Sequence, residues 1–400
     1  MKPISTNTTR RGAEILLCPG PVMLSPGVKA ALADCEIGHR DTRFSQLVTR
    51  VRCNSRHVFR SGDEHSILFI GGPATAAIEA VCASLVPPDA RVLVPVNGSF
   101  GARIAEILNV YQIPHTAIDF GFGKPFDLDR IKAVIAEERQ CGFTAVAMTH
   151  HETSAGLLNP VAAVGALARQ HGLKLIVDAT SSAGVEDLDV TRDGIDACIT
   201  TSGKCLHAAP GLSLVCVRRD LLEMSRLIRP RSYSVDLHRF HDQMEFNGQT
   251  PFTASVPLFL ALDRALEELL DQGIDERRRV YWRRREILAA GMVRLGLPLL
   301  PLPPGSEAAS ILTVGAPETL GFDALYAAVK DRGYLIYACK PPLAPNYFQI
   351  AVMGELADDE LHEFLEILQS LMTTMPARYL PRQLSPRVVK IDKKRSVTGS

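Results

Sequence analysis

The chain has 400 residues, enough for two domains, because single hydrophobic cores stop growing at roughly 250–300 residues. Its 44 Lys and Arg balance 44 Asp and Glu, so no net charge draws it to nucleic acid or to an anionic membrane. No apolar run approaches the ~18–20 residues of a membrane span, and nine cysteines lie scattered without a CxxC pair, which together predict a globular protein of the reducing cytoplasm.

Residues 1–12 are polar and basic, lack the apolar stretch of a secretory signal, and read as a loose arm. Residues 16–21 (LLCPGP) form a stiff, extended entry. Ser25 as cap and Pro26 at the first position open a helix to residue 33. Residues 37–44 (IGHRDTRF) read as a charged loop, either a solvated surface or an anion-recognition element built on Arg40 and Arg43. A buried strand over 66–70 leads into Gly71-Gly72-Pro73-Ala74-Thr75 and a helix over 76–85. Strand, glycine turn and helix start present backbone N–H groups and a positive helix end to a phosphate. No Gly-Lys-Ser/Thr follows, and the glycine spacing is not that of a dinucleotide fold.

Strand 91–96 ends in Asn97-Gly98-Ser99-Phe100-Gly101. Phe100 reads either as core or as an aromatic lying flat on a planar ligand. Helix 102–110, strand 115–118 and helix 128–138 continue the alternation, while 121–125 (GFGKP) is a turn, since proline and not a helix follows the lysine. Strand 144–148 runs into His150-His151-Glu152-Thr153-Ser154. That cluster has neither a His-x-x-x-His face nor a second ligand group, so no metal is expected. A helix over 160–171 follows.

Two apolar runs, 173–177 and 197–200, lack polar alternation and read as parallel strands buried on both faces. Asp178 closes the first, and Thr201-Ser202-Gly203-Lys204 follows the second. Both chemistry-bearing residues then lie just past the C-terminal ends of strands, where open α/β sheets bind ligands. Singly, such an Asp is often a turn former and such a Lys often solvated. Together they fit a pyridoxal 5′-phosphate (PLP) site, with the Lys204 amine forming a Schiff base and the Asp178 carboxylate holding the pyridine nitrogen protonated. Strand 211–217, helix 257–272 and a basic helical stretch over 277–285, solvated by default, come next. Beyond Gly291, strands near 309–314, 334–337 and 348–352 with helices over 322–332 and 358–371 compose a small α+β unit. Residues 375–400 are basic and proline-containing and read as a peripheral tail. The expected division is a large α/β domain over 15–272, a small domain over 273–375 joined by the arm 1–14, and a tail over 376–400.

Taken in order, the segments Pro19-Gly20-Pro21, Gly72 to Thr75 before Ile78-Glu79-Ala80, Asn97 to Gly101, His151 to Ser154 with Gly156 and Asn159-Pro160, Asp178 to Ser182, and Ser202 to Leu206 with Pro210-Gly211 carry a resemblance. From about residue 16 to 372 the chain resembles the class V, fold-type I PLP-dependent aminotransferases, and within them the branch acting on aminophosphonates. The resemblance implies a mostly parallel seven-stranded sheet sandwiched by helices, a homodimer, and transfer of an amino group from a small anionic amine to a 2-oxo acid. It implies that Lys204 and Asp178 are catalytic, that Phe100 stacks on the cofactor ring, and that Thr153, with Ser154 nearby, bonds its phenolic oxygen. Ala74, Thr75 and Ser202 would hold the phosphate, reached by Thr250 of the neighbouring subunit.

Three positions depart from the family pattern. Pro73 removes one N–H donor from the phosphate turn. The loop over 37–44 is more similar to glyoxylate-using relatives. The late strand reads Phe348-Gln349-Ile350 where the family carries an arginine that clamps the substrate's anionic group. Glutamine has no charge and no bidentate fork. The missing cation falls to Arg40, Arg43, Arg231 or Lys340, with Arg40, Gln349 and Lys340 as the substrate-binding candidates. Loss of that arginine also leaves open a PLP-dependent lyase or elimination reaction, which needs no acceptor acid, and more remotely a binding protein that keeps only the fold.

Overall fold

The computed structural model describes residues 14–34, 36–137, 142–318 and 320–374. The arm, apart from Glu14, and the basic tail lie outside the described residues. The central sheet has seven strands: β1 (His65–Gly71), β2 (Arg91–Val96), β3 (His115–Asp119), β4 (Phe143–Thr149), β5 (Lys174–Asp178), β6 (Ala197–Thr201) and β7 (Leu212–Arg218). Their order is β1-β7-β6-β5-β4-β2-β3. Only β7 runs antiparallel to its neighbours, β1 and β6. The other pairs are parallel. The unalternating apolar runs explain this: every residue of β6 is buried, and every residue of β5 but Lys174.

Helices cover this sheet and a smaller second one. They are α1 (Pro26–Ala33), α2 (Thr42–Phe59), α3 (Ala74–Leu85), α4 (Ser99–Val110), α5 (Leu128–Glu137), α6 (Val161–Gln170), α7 (Arg219–Met224), α8 (Leu237–Asn247), α9 (Val256–Gln272), α10 (Ile274–Arg294), α11 (Gly321–Lys330) and α12 (Asp358–Thr374). The charged loop expected over 37–44 is cut short, because α2 begins at Thr42. Asp41 caps it, its carboxylate accepting from the Arg43 amide at 2.7 Å. Phe44, Leu47, Val48, Val51, Ser55 and Val58 then recur at helical spacing and are all buried. The stretch over 277–285 is also corrected. It belongs to α10, and Arg277 and Arg284 are only 4% and 8% exposed. They are buried because their guanidinium groups bond main-chain carbonyls, Arg277 that of Cys205 at 3.3 Å and Arg284 those of Gly354 at 3.1 Å and of Leu356.

A second sheet, β8 (Ile311–Gly315), β9 (Tyr337–Ala338) and β10 (Tyr347–Ala351), is antiparallel in the order β8-β10-β9. The strand expected over 334–337 is split. Tyr334–Leu335 pairs in parallel with Ile15–Leu16, and Tyr337 starts β9. Buried apolar residues fall into two clusters, one around the large sheet and one joining the second sheet to α10, α11 and α12. Leu17, Val22 and Met23 from the entry segment and Cys205 beside Lys204 belong to the second. Between the two, Glu186 accepts from the Ala309 amide at 2.7 Å, and burial raises its carboxyl to about 7.

Candidate active site

A cavity of about 520 Å³ opens at the C-terminal ends of β5 and β6, and Asp178, Lys204, Phe100, Thr153, Ala74 and Thr75 all line it. Sequence-distant residues meet there because each follows a parallel strand whose C-terminal end points the same way. Asp178 is the last residue of β5, and its Oδ1 accepts from the Thr180 amide at 2.9 Å. Lys204 follows β6 by a tight turn. Burial lowers its amine pKa, with the Asp178 charge opposing that shift.

Lys204 Nζ donates to Ser181 Oγ at 2.9 Å, and Thr153 Oγ1 donates to the same oxygen at 2.7 Å. Ser181 also offers its carbonyl to His151 Nδ1 at 3.1 Å and to Cys205 Sγ at 3.3 Å. A carbonyl can only accept, so His151 carries its proton on Nδ1 and presents the bare Nε2 lone pair. Among the described residues Nε2 has no partner; the ring lines the cavity, and burial lowers its pKa to about 3, keeping it neutral. Ser181 and His151 are absent from the site read from sequence, although Ser181 lies within the Asp178 to Ser182 segment already singled out.

Phe100 and Thr75 are placed by helix starts earlier than the sequence pattern suggests. α4 begins at Ser99 and not at residue 102, and α3 at Ala74 and not at 76. Both site residues therefore sit in first turns, whose amides have no intrahelical acceptor. For α4 the acceptor comes from the segment after β4. Glu152 takes the amides of Phe100 at 3.1 Å and Gly101 at 3.0 Å, and Ser154 Oγ takes that of Ser99 at 3.1 Å while donating to Glu152. Glu152 is wholly buried. It comes this close because residue 98 is glycine: a Cβ there would stand 2.4 Å from the Glu152 Cδ.

Other expected site residues lie elsewhere. Ser154 serves the α4 cap, and Ser202 spends its hydroxyl on the Ala209 carbonyl at 2.6 Å. Neither lines the cavity. Gln349 sits behind the wall, its amide donated to the Thr153 carbonyl at 2.5 Å. Arg40 lies outside the cavity and donates to the carbonyls of Thr250 at 2.7 Å and Pro251 at 3.1 Å, so these two expected residues are joined to each other and not to their own chain's cavity. Arg43 pairs with Asp41 on the surface. Arg231 is committed to the carbonyl end of α3, at Cys82, Ala83 and Val86. Lys340 does reach the site, its Nζ 5.0 Å from the Phe100 ring centre. Arg103 was missed: one turn beyond Phe100, it lines the cavity with its guanidinium 4.8 Å from that ring. Among the described residues no group of three or more His, Cys, Asp or Glu is placed to hold a metal ion.

The turn carrying Lys204 is tied at its far end. His207, at φ 58°, accepts at Nε2 from the Gly354 amide at 3.0 Å and from the Tyr281 hydroxyl at 2.6 Å.

The cavity suits PLP on its own terms. A lysine amine and a carboxylate face it, an aromatic ring walls it, a helix N-terminus opens on it, and an unpartnered imidazole nitrogen awaits a donor. A family model, Aminotransferase class-V, matches residues 28–316. A 2-aminoethylphosphonate–pyruvate transaminase of Burkholderia mallei is 38% identical over 351 residues, 87% of this chain and 93% of that protein. The solved ureidoglycine–glyoxylate aminotransferase of Bacillus subtilis superposes with a TM-score of 0.83 at 25% identity, covering 92% of this chain and 94% of that one. An alanine–glyoxylate aminotransferase from Nostoc sp. shares the fold, with a TM-score of 0.84 at 23% identity over 92% of this chain and 98% of that one. Each lysine, carboxylate and aromatic named above thus stands inside a shared architecture, and the chain belongs to the class-V aminotransferase family, as a PLP-dependent aminotransferase.

Proposed function

We propose that this enzyme moves the amino group of a small anionic amine, of the 2-aminoethylphosphonate kind, to a 2-oxo acid such as pyruvate. The observation that carries the reading is the meeting of Lys204 and Asp178 in one cavity with Ser181 on the lysine amine. The named activity of the 38%-identical relatives supports the substrate class.

When bound, PLP supplies a carbonyl that condenses with amines and a protonated ring that accepts electrons from the substrate's C–H bond. Asp178 would hold the pyridine nitrogen, and Lys204 would be the covalent anchor. Freed from that bond, Lys204 Nζ would take the proton from the substrate carbon bearing nitrogen and deliver it to the carbon that was the cofactor's aldehyde. Its lowered pKa leaves more of the amine neutral for that task. Ser181 Oγ fixes the direction of Nζ, and Thr153 Oγ1, bonded to the same hydroxyl, stands beside it. Phe100 forms the flat wall for the ring, and Ala74 and Thr75 offer first-turn amides to the phosphate.

The domain division at residues 272 and 273 belongs to the same proposal and is supported by the two apolar clusters. So does a homodimer, supported by Thr250 lying outside its own chain's cavity and by the exposed Leu227, Tyr233 and Phe246. A cytoplasmic location is supported by the free cysteines. No helix among the described residues is long and apolar enough to cross a membrane.

A lyase reading rests on Gln349, which brings no charge and is turned onto Thr153. One experiment separates the two. The enzyme is incubated with 2-aminoethylphosphonate, with and without pyruvate, and alanine and ammonia are measured. Alanine formed only with pyruvate supports transamination. Ammonia released without any acceptor would overturn it in favour of the lyase.

A further inference from the structure

The phosphate end of the cavity is short of donors. Pro73 is the N-cap residue of α3 and has no N–H, and among the described residues no side chain caps that helix. The Ala76 amide is spent on the Pro73 carbonyl at 2.8 Å. The Ser202 hydroxyl is spent on Ala209 and the Thr201 hydroxyl on the Leu212 carbonyl at 3.1 Å. Within one chain, the amides of Ala74 and Thr75 and the Thr75 hydroxyl are what remains of the donors expected from the sequence, beside the Thr250 expected from the neighbouring subunit. A phosphate monoester carries close to two negative charges at neutral pH and takes several donors.

Arg103 reaches this place from α4. Its Nη1 donates to Thr75 Oγ1 at 3.3 Å. The hydroxyl, accepting from the guanidinium, keeps its own proton free to donate onward. Among the described residues no carboxylate pairs with Arg103, and its other contact is the face of Phe100. The guanidinium is therefore held at the mouth of the helix N-terminus by one neutral hydroxyl and one ring, with N–H groups to spare.

We propose that Arg103 is a cationic ligand of the cofactor's phosphate, in place of the amide that Pro73 lacks and the hydroxyl that Ser202 has committed elsewhere. The inference rests on the PLP reading of the cavity and adds to it a residue and a charge. A guanidinium on a phosphate gives strong, charge-assisted bonds. Thr75 is then shared, accepting from Arg103 while donating to the phosphate.

The test compares two cofactors, one with the phosphate and one without. Apo-enzyme is titrated with PLP and, separately, with pyridoxal, following the visible band of the lysine-bound aldehyde. In Arg103→Gln the PLP dissociation constant should rise about 10- to 100-fold relative to wild type, with the pyridoxal constant unchanged. Arg103→Lys should recover part of the loss, and its melting curve without cofactor should match wild type. Equal weakening of both compounds would overturn the proposal, because Arg103 would then act on the ring through Phe100 or on the fold. Unchanged binding of both, with a raised KM for the amine, would also overturn it and assign the guanidinium to the substrate's anion. A wild type that forms no band with either compound would instead overturn the PLP reading itself.

Discussion

Gln349 donates its side-chain amide 2.5 Å to the main-chain oxygen of Thr153, and so acts on the frame of the site and not on its contents. Thr313 Oγ1 bonds the next carbonyl but one, that of Ala155, at 3.0 Å, and β8 and β10 pair Thr313 with Gln349. The second sheet thus holds the segment 153–155 from behind.

Gln349→Leu removes that donor and leaves a buried carbonyl unpaired, a loss of about 1–3 kcal/mol. A lower denaturation midpoint should accompany a lower kcat, since Thr153 is bonded to Ser181. Unchanged stability with unchanged kcat would refute the frame role.

Ser181→Ala removes the acceptor on Lys204 Nζ. That acceptor favours the charged amine, so its loss lowers the lysine pKa further. The acid limb of the kcat profile should then move to lower pH, because the base role proposed for Lys204 needs its neutral form. A fall in kcat on the order of 10²-fold is expected from misplacing Nζ, with KM for the amine little changed. A profile superimposable on wild type would show that Ser181 does not govern the lysine.

Gly98→Ala inserts a Cβ where the Glu152 carboxylate lies, and Glu152→Ala deletes the carboxylate. Either change strips the cap from the Phe100 and Gly101 amides, at a cost of about 1–3 kcal/mol. Both variants should bind PLP more weakly as Phe100 loosens. If Gly98→Ala binds PLP as wild type does, the cap has no hold on the ring.

Glu186 provides a pH signature. Its folded-state carboxyl titrates at about 7 against an ordinary 4.5, so between those values the folded chain binds more protons than the unfolded one. Its contribution to stability is fully present below pH 4.5 and is lost as pH rises through about 7. Glu186→Gln cannot ionise, so melting temperatures of the variant relative to wild type should rise between pH 5.5 and pH 8. A difference constant across that range would show that Glu186 does not titrate in the folded state there.

Much of the fold was legible because parallel strands buried on both faces leave unmistakable apolar runs. The same runs located Asp178 and Lys204, since strand ends are where such sheets bind ligands. What the pattern hid has physical causes. α2 is rich in arginine, so its apolar stripe is diluted and only the spacing from Phe44 to Val58 betrays it. Arg277 and Arg284 looked solvated because composition does not show that main-chain carbonyls wait for them in the interior. Ser202 and Ser181 are both plausible by type. Which hydroxyl faces the lysine is decided by the turns after β5 and β6, where Ser202 is diverted to Ala209. The early helix starts were hidden for a similar reason, since the cap of α4 comes from residues more than fifty positions away.

His207 gives the lysine turn a mechanical role. Tyr281 comes from α10 and Gly354 from just beyond β10, and both bond the ring three residues after Lys204. The Lys204 turn is thus one end of a strut whose other end is planted in α10 and in the segment after β10. A displacement of α10 or of the segment after β10 would therefore pull on the turn that carries Nζ.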